Sequence, residues 1–168
     1  MRLFLAAMPD DSFRLTLEQL QKELKDAGIK GRYTDPFNLH LTLAFIGEYG
    51  DPDHIMDVIE EIPFEPVFLK PEKISLLGDL YILTFEENRE LSLYVQRLHR
   101  VLAGNDIPFD RKSFMPHITL VRKADTDFPE FPITKTEEME CSSVSLMRSQ
   151  QGRNGMNYTE IDRIAYDG

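Results

Sequence analysis

The chain has 168 residues, 42% of them hydrophobic, and a formal net charge of −10. That composition excludes a disordered polymer and supplies a core for one ordinary domain, expected to span residues 1–168. The acidic balance argues against an electrostatic grip on extended duplex nucleic acid, whose phosphates an acidic surface repels, but leaves room for a small phosphate held by a few cations in a cleft.

Arg2-Leu3-Phe4-Leu5-Ala6-Ala7-Met8 is a short apolar run that reads as a buried strand over residues 3–7. It is too short for a secretory leader, and no run approaches the ~20 residues that cross a bilayer, so a cytoplasmic chain with no membrane partner is expected. Phe13, Leu17, Leu20, Leu24 and Ala27 recur at helical spacing, capped near residues 10–12 and stopped by Gly28. A strand follows over 38–46. Asp51-Pro52 then opens a second helix whose inward residues are Ile55, Val58, Ile59 and Ile62. Residues 67–77 and 80–86 read as two strands joined by a turn at Gly78-Asp79. A third helix is expected from about Asn88 to Ala103 with Gly104 as its stop. The next strand covers 114–122, the polar stretch 124–137 reads as a loop, and two last strands fit Ser142–Arg148 and Tyr158–Ala165. Cys141 is the only cysteine, so it offers neither a disulfide nor a zinc-ligand pattern and reads as a small apolar strand residue. His54 and His99 read as solvated helix residues. Arg32 and Tyr33, just before the 38–46 strand, are candidates for contact with a base or phosphate.

Two segments stand out: Asn38-Leu39-His40-Leu41-Thr42-Leu43-Ala44-Phe45 and Met115-Pro116-His117-Ile118-Thr119-Leu120-Val121-Arg122. With four His and nine Thr in the chain, only roughly 0.03 copies of His-x-Thr-Leu are expected by chance, so two copies signal more than composition. Strand alternation puts His40 and Thr42 on one face, and His117 and Thr119 on one face, each opposite an aliphatic face. The two histidines lie 77 residues apart (117 − 40), which points to a weak internal repeat. Helices mixed among strands then suggest an α+β fold of two similar lobes of mainly antiparallel sheet.

Opening a cyclic phosphodiester needs one group to take a proton from water and another to give one to the leaving oxygen. Histidine titrates near neutrality and suits both tasks. The two threonine hydroxyls can donate to non-bridging phosphate oxygens as charge develops. No cluster of carboxylates or cysteines suggests a metal, and no cofactor is expected. Strict alternation puts Arg122, five residues after His117, on the opposite face, so it reaches the cleft only if the strand bends, bulges or ends there.

These segments resemble the 2H phosphoesterases, and within them the RNA 2′,3′-cyclic phosphodiesterases, also called 2′-5′ RNA ligases. The resemblance extends from Arg2-Leu3-Phe4-Leu5-Ala6 through both histidine blocks to Ser145-Leu146-x-Arg148-Ser149, Gly155 and Tyr158-Thr159; the turn before Tyr158 lacks the Gly-Pro pair common in that group. It implies a bilobal α+β fold with pseudo-two-fold symmetry, helices outside and a central active cleft, and hydrolysis of a 2′,3′-cyclic phosphate to a 2′-phosphomonoester. His117 would be the base and His40 the acid, Thr42 and Thr119 would hold the phosphate, and Arg122 would add a cation. Phe45 would be the aromatic near the base. The implied partner is a small nucleotide or an RNA terminus, met by a monomer. Other cyclic phosphates, 2′-5′-linked oligonucleotides, or binding of phosphorylated nucleotides without turnover stand as alternatives.

Overall fold

Two of the three main helices start at a side-chain cap. In the computed structural model, which describes residues 1–134 and 136–165, strand β1 (Arg2–Ala7) leads into helix α1 (Asp11–Asp26). Gly28 takes a positive φ of 89°, and the amides of Gly28 and Ile29 return to the carbonyls of Lys25 and Leu24, closing α1 with a left-handed cap. Strand β2 (Arg32–Tyr33), a short 3-10 turn (Pro36–Asn38) and β3 (Leu41–Glu48) follow. Helix α2 (Pro52–Ile59) is capped by the Asp51 carboxylate, which accepts from the His54 amide. Then come β4 (Val67–Leu69), β5 (Pro71–Leu77), β6 (Leu80–Phe85) and α3 (Arg89–Gly104), whose cap is Asn88 accepting from the Leu91 amide. The chain ends through β7 (His117–Arg122), β8 (Glu130–Pro132), β9 (Met139–Cys141), β10 (Ser143–Gly152) and β11 (Gly155–Ala165).

Several expectations are corrected. The strand expected over 67–77 breaks at Pro71, which has no amide to continue a ladder. β4 therefore pairs with β9 in a separate ribbon, while β5 forms the hairpin with β6. The stretch expected as a loop contributes β8, because Phe131 packs on Tyr81 and Phe128 and lies opposite Ile74 of β5. Helix α3 runs through Gly104, and Asp106, at φ 58°, makes the left-handed exit. His99 is not solvated: its Nε2 lies 3.0 Å from the Leu43 carbonyl and its ring packs on Phe109.

Nine strands form one sheet in the order β11-β10-β1-β3-β7-β6-β5-β8, with β2 alongside β7. All its pairings are antiparallel. The middle of the sheet is thin, because β3 and β7 share only the pair Leu41↔Ile118. Beyond that pair the strands part, leaving one lobe of β3-β1-β10-β11 and another of β7-β6-β5-β8 with β2 beside β7. The helices cover one face of the sheet. Leu3, Leu5, Leu41, Leu43, Ile118 and Leu120 are buried there with Phe13, Leu17, Leu24, Leu98 and Leu102, each such side chain contributing about 1.5–3 kcal/mol. α1 packs against β7 and α3 against β3, so the helix that precedes each histidine in sequence covers the strand of the other one. The opposite face is left for the site.

Candidate active site

His40 and His117 are held in the same way. The Nδ1 of His40 lies 2.7 Å from the carbonyl of Asn38, and that of His117 lies 2.7 Å from the carbonyl of Met115. A carbonyl only accepts, so each Nδ1 carries the hydrogen and each Nε2 is the nitrogen free for chemistry. The Nε2 of His40 lies 3.0 Å from the Thr42 hydroxyl. Asn38 is itself anchored, its side-chain amide donating to the Met156 carbonyl at 3.0 Å. The 3-10 turn before His40 is fixed by Asp35, which accepts from the Phe37 amide.

Strand irregularities bring two more residues to the histidines. In the β6–β7 ladder Tyr81 pairs with Val121 and Ile82 with Thr119, leaving Leu120 as an extra residue. In the β1–β3 ladder Leu5 pairs with Ala44 and Ala6 with Thr42, leaving Leu43 as its counterpart. One extra residue reverses the parity of every later position on its strand. Arg122 therefore comes back to the face of His117 and Thr119, and Phe45 to the face of His40 and Thr42. The apolar pairs Leu43-Ala44 and Leu120-Val121, both buried, were the sequence mark of these bulges.

The two lobes enclose a cavity of about 210 Å³ lined by Thr34, His40, Thr42, His117, Thr119 and Arg122, together with Tyr158. A larger cavity of about 850 Å³ adjoins it along the first lobe, sharing His40, Thr42, Arg122 and Tyr158 and adding Arg2, Phe4, Phe45 and Arg148. Among the described residues, the guanidinium groups of Arg2, Arg122 and Arg148 form no ion pair with a carboxylate. On a chain of net charge −10, three unpaired cations along one cavity wall mark an anion site.

His40 is enclosed by aromatic rings, Phe4 at 4.8 Å and Tyr158 edge-on at 5.3 Å between centroids. Burial pushes its imidazole down to about 4 despite the bond to the Asn38 carbonyl, and the positive charges of Arg122 and His117 act in the same downward sense. His40 is therefore neutral at pH 7. Cys141, buried in β9, has its thiol pushed up to about 12, chiefly by burial, and lies away from both cavities.

His40, His117, Thr42, Thr119 and Arg122 thus come together, whereas Phe45 lies along the larger cavity under the Arg2 guanidinium, 5.1 Å from its ring centre. Tyr33 serves the core side instead, its hydroxyl donating to the Ile29 carbonyl, and Arg32 pairs in register with Arg122 without lining either cavity. Sequence reasoning missed the roles of Phe4 and Tyr158 as the walls of His40. The alternation Arg2, Phe4, Ala6 against Leu3, Leu5, Ala7 was the available signal for a second, cleft-facing side of β1. Among the described residues no group of three His, Cys, Asp or Glu side chains is arranged to hold a metal ion, and no helix is long and apolar enough to cross a membrane.

The duplicated histidine strands, each with a bulge after its histidine, thus face one cavity of about 210 Å³. Residues 8–80 and 83–158, one histidine motif in each segment, match the LigT like phosphoesterase family. The chain belongs to that family, within the 2H phosphoesterases, and is a hydrolase. A protein of Archaeoglobus fulgidus named RNA 2′,3′-cyclic phosphodiesterase is 30% identical over 73% of this chain and 72% of its own. One of the same name from Aquifex aeolicus is 24% identical over 99% of this chain and 98% of its own. The fold is also that of E. coli LigT crystallised with 3′-AMP, at a TM-score of 0.85 and 23% identity over 99% of this chain and 98% of that one.

Proposed function

We propose that the protein hydrolyses 2′,3′-cyclic phosphates, on RNA ends or small nucleotides, to 2′-phosphomonoesters. The relatives named RNA 2′,3′-cyclic phosphodiesterase support this substrate class. The observation that carries the reading is the matched pair of imidazoles, each fixed at Nδ1 and each turning Nε2 to one cavity of about 210 Å³. Water attacks phosphorus, its proton passing to one imidazole; the bond to O3′ breaks, and O3′ takes a proton from the other. Thr42, Thr119 and Arg122 stabilise the charge on the non-bridging oxygens. No metal enters the scheme. One chain supplies both histidines, which supports a monomer. Because β1 and β10–β11 share a lobe, the whole of 1–168 is taken as one catalytic unit, working in the cytoplasm.

The family resemblance assigns His117 as base and His40 as acid. The low pKa of His40 favours the converse, with neutral His40 receiving the proton of water and His117 protonating O3′. Turnover of 2′,3′-cyclic AMP, with the product identified by phosphorus NMR, tests the reading. A 2′-phosphate is the expected product. Absence of turnover, or a 3′-phosphate, would sink it.

A further inference from the structure

The cleft face of the first lobe is built in rows, because residues opposite each other on neighbouring strands share a face. Thr42 lies opposite Ala6, next to the histidines. The next row is apolar, with Phe45 opposite Phe4 and Phe4 opposite Met147. The row after that is polar again: Arg2 opposite Ser149, and Ser149 opposite Tyr158. From Ala6 to Arg2 is four residues of strand, about 13 Å at 3.3 Å per residue. The Arg2 guanidinium leans over the Phe45 ring, 5.1 Å from its centre. Glu48, its register neighbour on β3, is engaged by the Met1 ammonium at 3.2 Å instead. The order along the cavity is therefore phosphate site, aromatic strip, cation.

The smaller cavity, about 210 Å³, holds both histidines and both threonines. The larger one, about 850 Å³, extends past the aromatic strip to Arg2. We propose that Arg2, with the Ser149 hydroxyl beside it, forms a second phosphate subsite, so that the preferred substrate carries another phosphate on the 5′ side of the nucleoside whose cyclic phosphate is opened. The inference rests on the proposed cyclic phosphodiesterase activity. The second phosphate is either a terminal 5′-phosphate or the diester to the preceding nucleotide. Arg2 is suited to both, since its planar fork contacts two phosphate oxygens at once.

The test compares three substrates: 2′,3′-cyclic AMP, its 5′-phosphorylated form, and the dinucleotide ApA ending in a 2′,3′-cyclic phosphate. A charge-assisted contact predicts a kcat/KM advantage of roughly 10- to 100-fold for the second phosphate in the wild type. In Arg2→Gln the ratio to 2′,3′-cyclic AMP should fall to about one, and Arg2→Lys should recover part of it. If only the 5′-phosphorylated mononucleotide gains, the source is a chain end; if the dinucleotide gains as well, the subsite also takes an internal diester. A wild-type ratio of one for both, or a ratio untouched by Arg2→Gln, overturns the subsite. Failure of 2′,3′-cyclic AMP to turn over would instead strike the activity. In that event the affinities of adenosine 2′-monophosphate and adenosine 2′,5′-bisphosphate for the wild type and Arg2→Gln still decide whether the subsite exists: equal affinities in the wild type refute it.

Discussion

Gln21 and His99 occupy equivalent places in opposite halves of the molecule. They are 78 residues apart (99 − 21) on α1 and α3. Gln21 Nε2 donates to the carbonyl of Leu120 at 3.0 Å, and His99 Nε2 lies 3.0 Å from the carbonyl of Leu43. Those carbonyls belong to the two bulge residues, after which Arg122 and Phe45 turn into the cleft. Each helix thus ties down the irregularity that completes the site above it, and an imidazole in one half does the work of an amide in the other.

The equivalence predicts that His99→Gln keeps both stability and turnover, since an amide can reach the same carbonyl. His99→Leu leaves the Leu43 carbonyl unpaired and should cost about 1–3 kcal/mol. Urea unfolding of both variants measures the difference. Equal destabilisation by Gln and Leu would show that the imidazole, and not the hydrogen bond, is what the site requires.

His40→Ala and His117→Ala should each lower kcat on 2′,3′-cyclic AMP by ~10²–10⁴, the usual worth of a positioned acid or base. Circular dichroism shows whether each variant is folded. A folded variant with near wild-type kcat would leave that histidine without a chemical role.

The half-buried His40 makes a prediction about pH. Its folded pKa of about 4 lies below the ordinary 6.5, so the unfolded chain binds the proton more readily. The stability held by neutral His40 is complete above pH 6.5 and is lost as the pH falls towards 4, by about 3 kcal/mol in all. His40→Asn should flatten that part of the stability curve relative to the wild type; parallel curves would refute the burial effect. In kinetics, the low value places the acid limb of kcat/KM with His40, so the His40 variant should lose that limb. Loss of the alkaline limb instead would restore His40 as the acid.

Activity should persist in EDTA, because the proposed proton carriers and anion donors are all side chains of this chain. Assay after exhaustive chelation checks this. Loss of turnover with recovery on adding zinc or manganese would require a different scheme.

Much of the fold and half of the site were legible in the residues alone. The repeated His-x-Thr-Leu marked the faces of β3 and β7, and helical spacing found Phe13, Leu17, Leu20 and Leu24. The features that escaped notice depended on distance along the chain. Tyr158 reaches His40 only because β10 and β11 fold back beside β1, 118 residues later (158 − 40). Arg122 looked misplaced because alternation assumes an unbroken pleat, and a bulge is a property of two strands together. β8 was hidden because two aromatic anchors, Phe128 and Phe131, sit in an otherwise polar segment.

The crossing of the helices bears on how such a molecule could arise. A fragment bearing one histidine strand and the helix before it would have that helix set away from its own strand. Two such fragments would satisfy each other, each helix lying on its partner's strand, with one imidazole from each facing the same gap. Joining them end to end would keep every one of those packings. The narrow seam at Leu41 and Ile118 stands where the contact between two once-separate copies would have been, and the two facing histidines would then be two inherited forms of one residue.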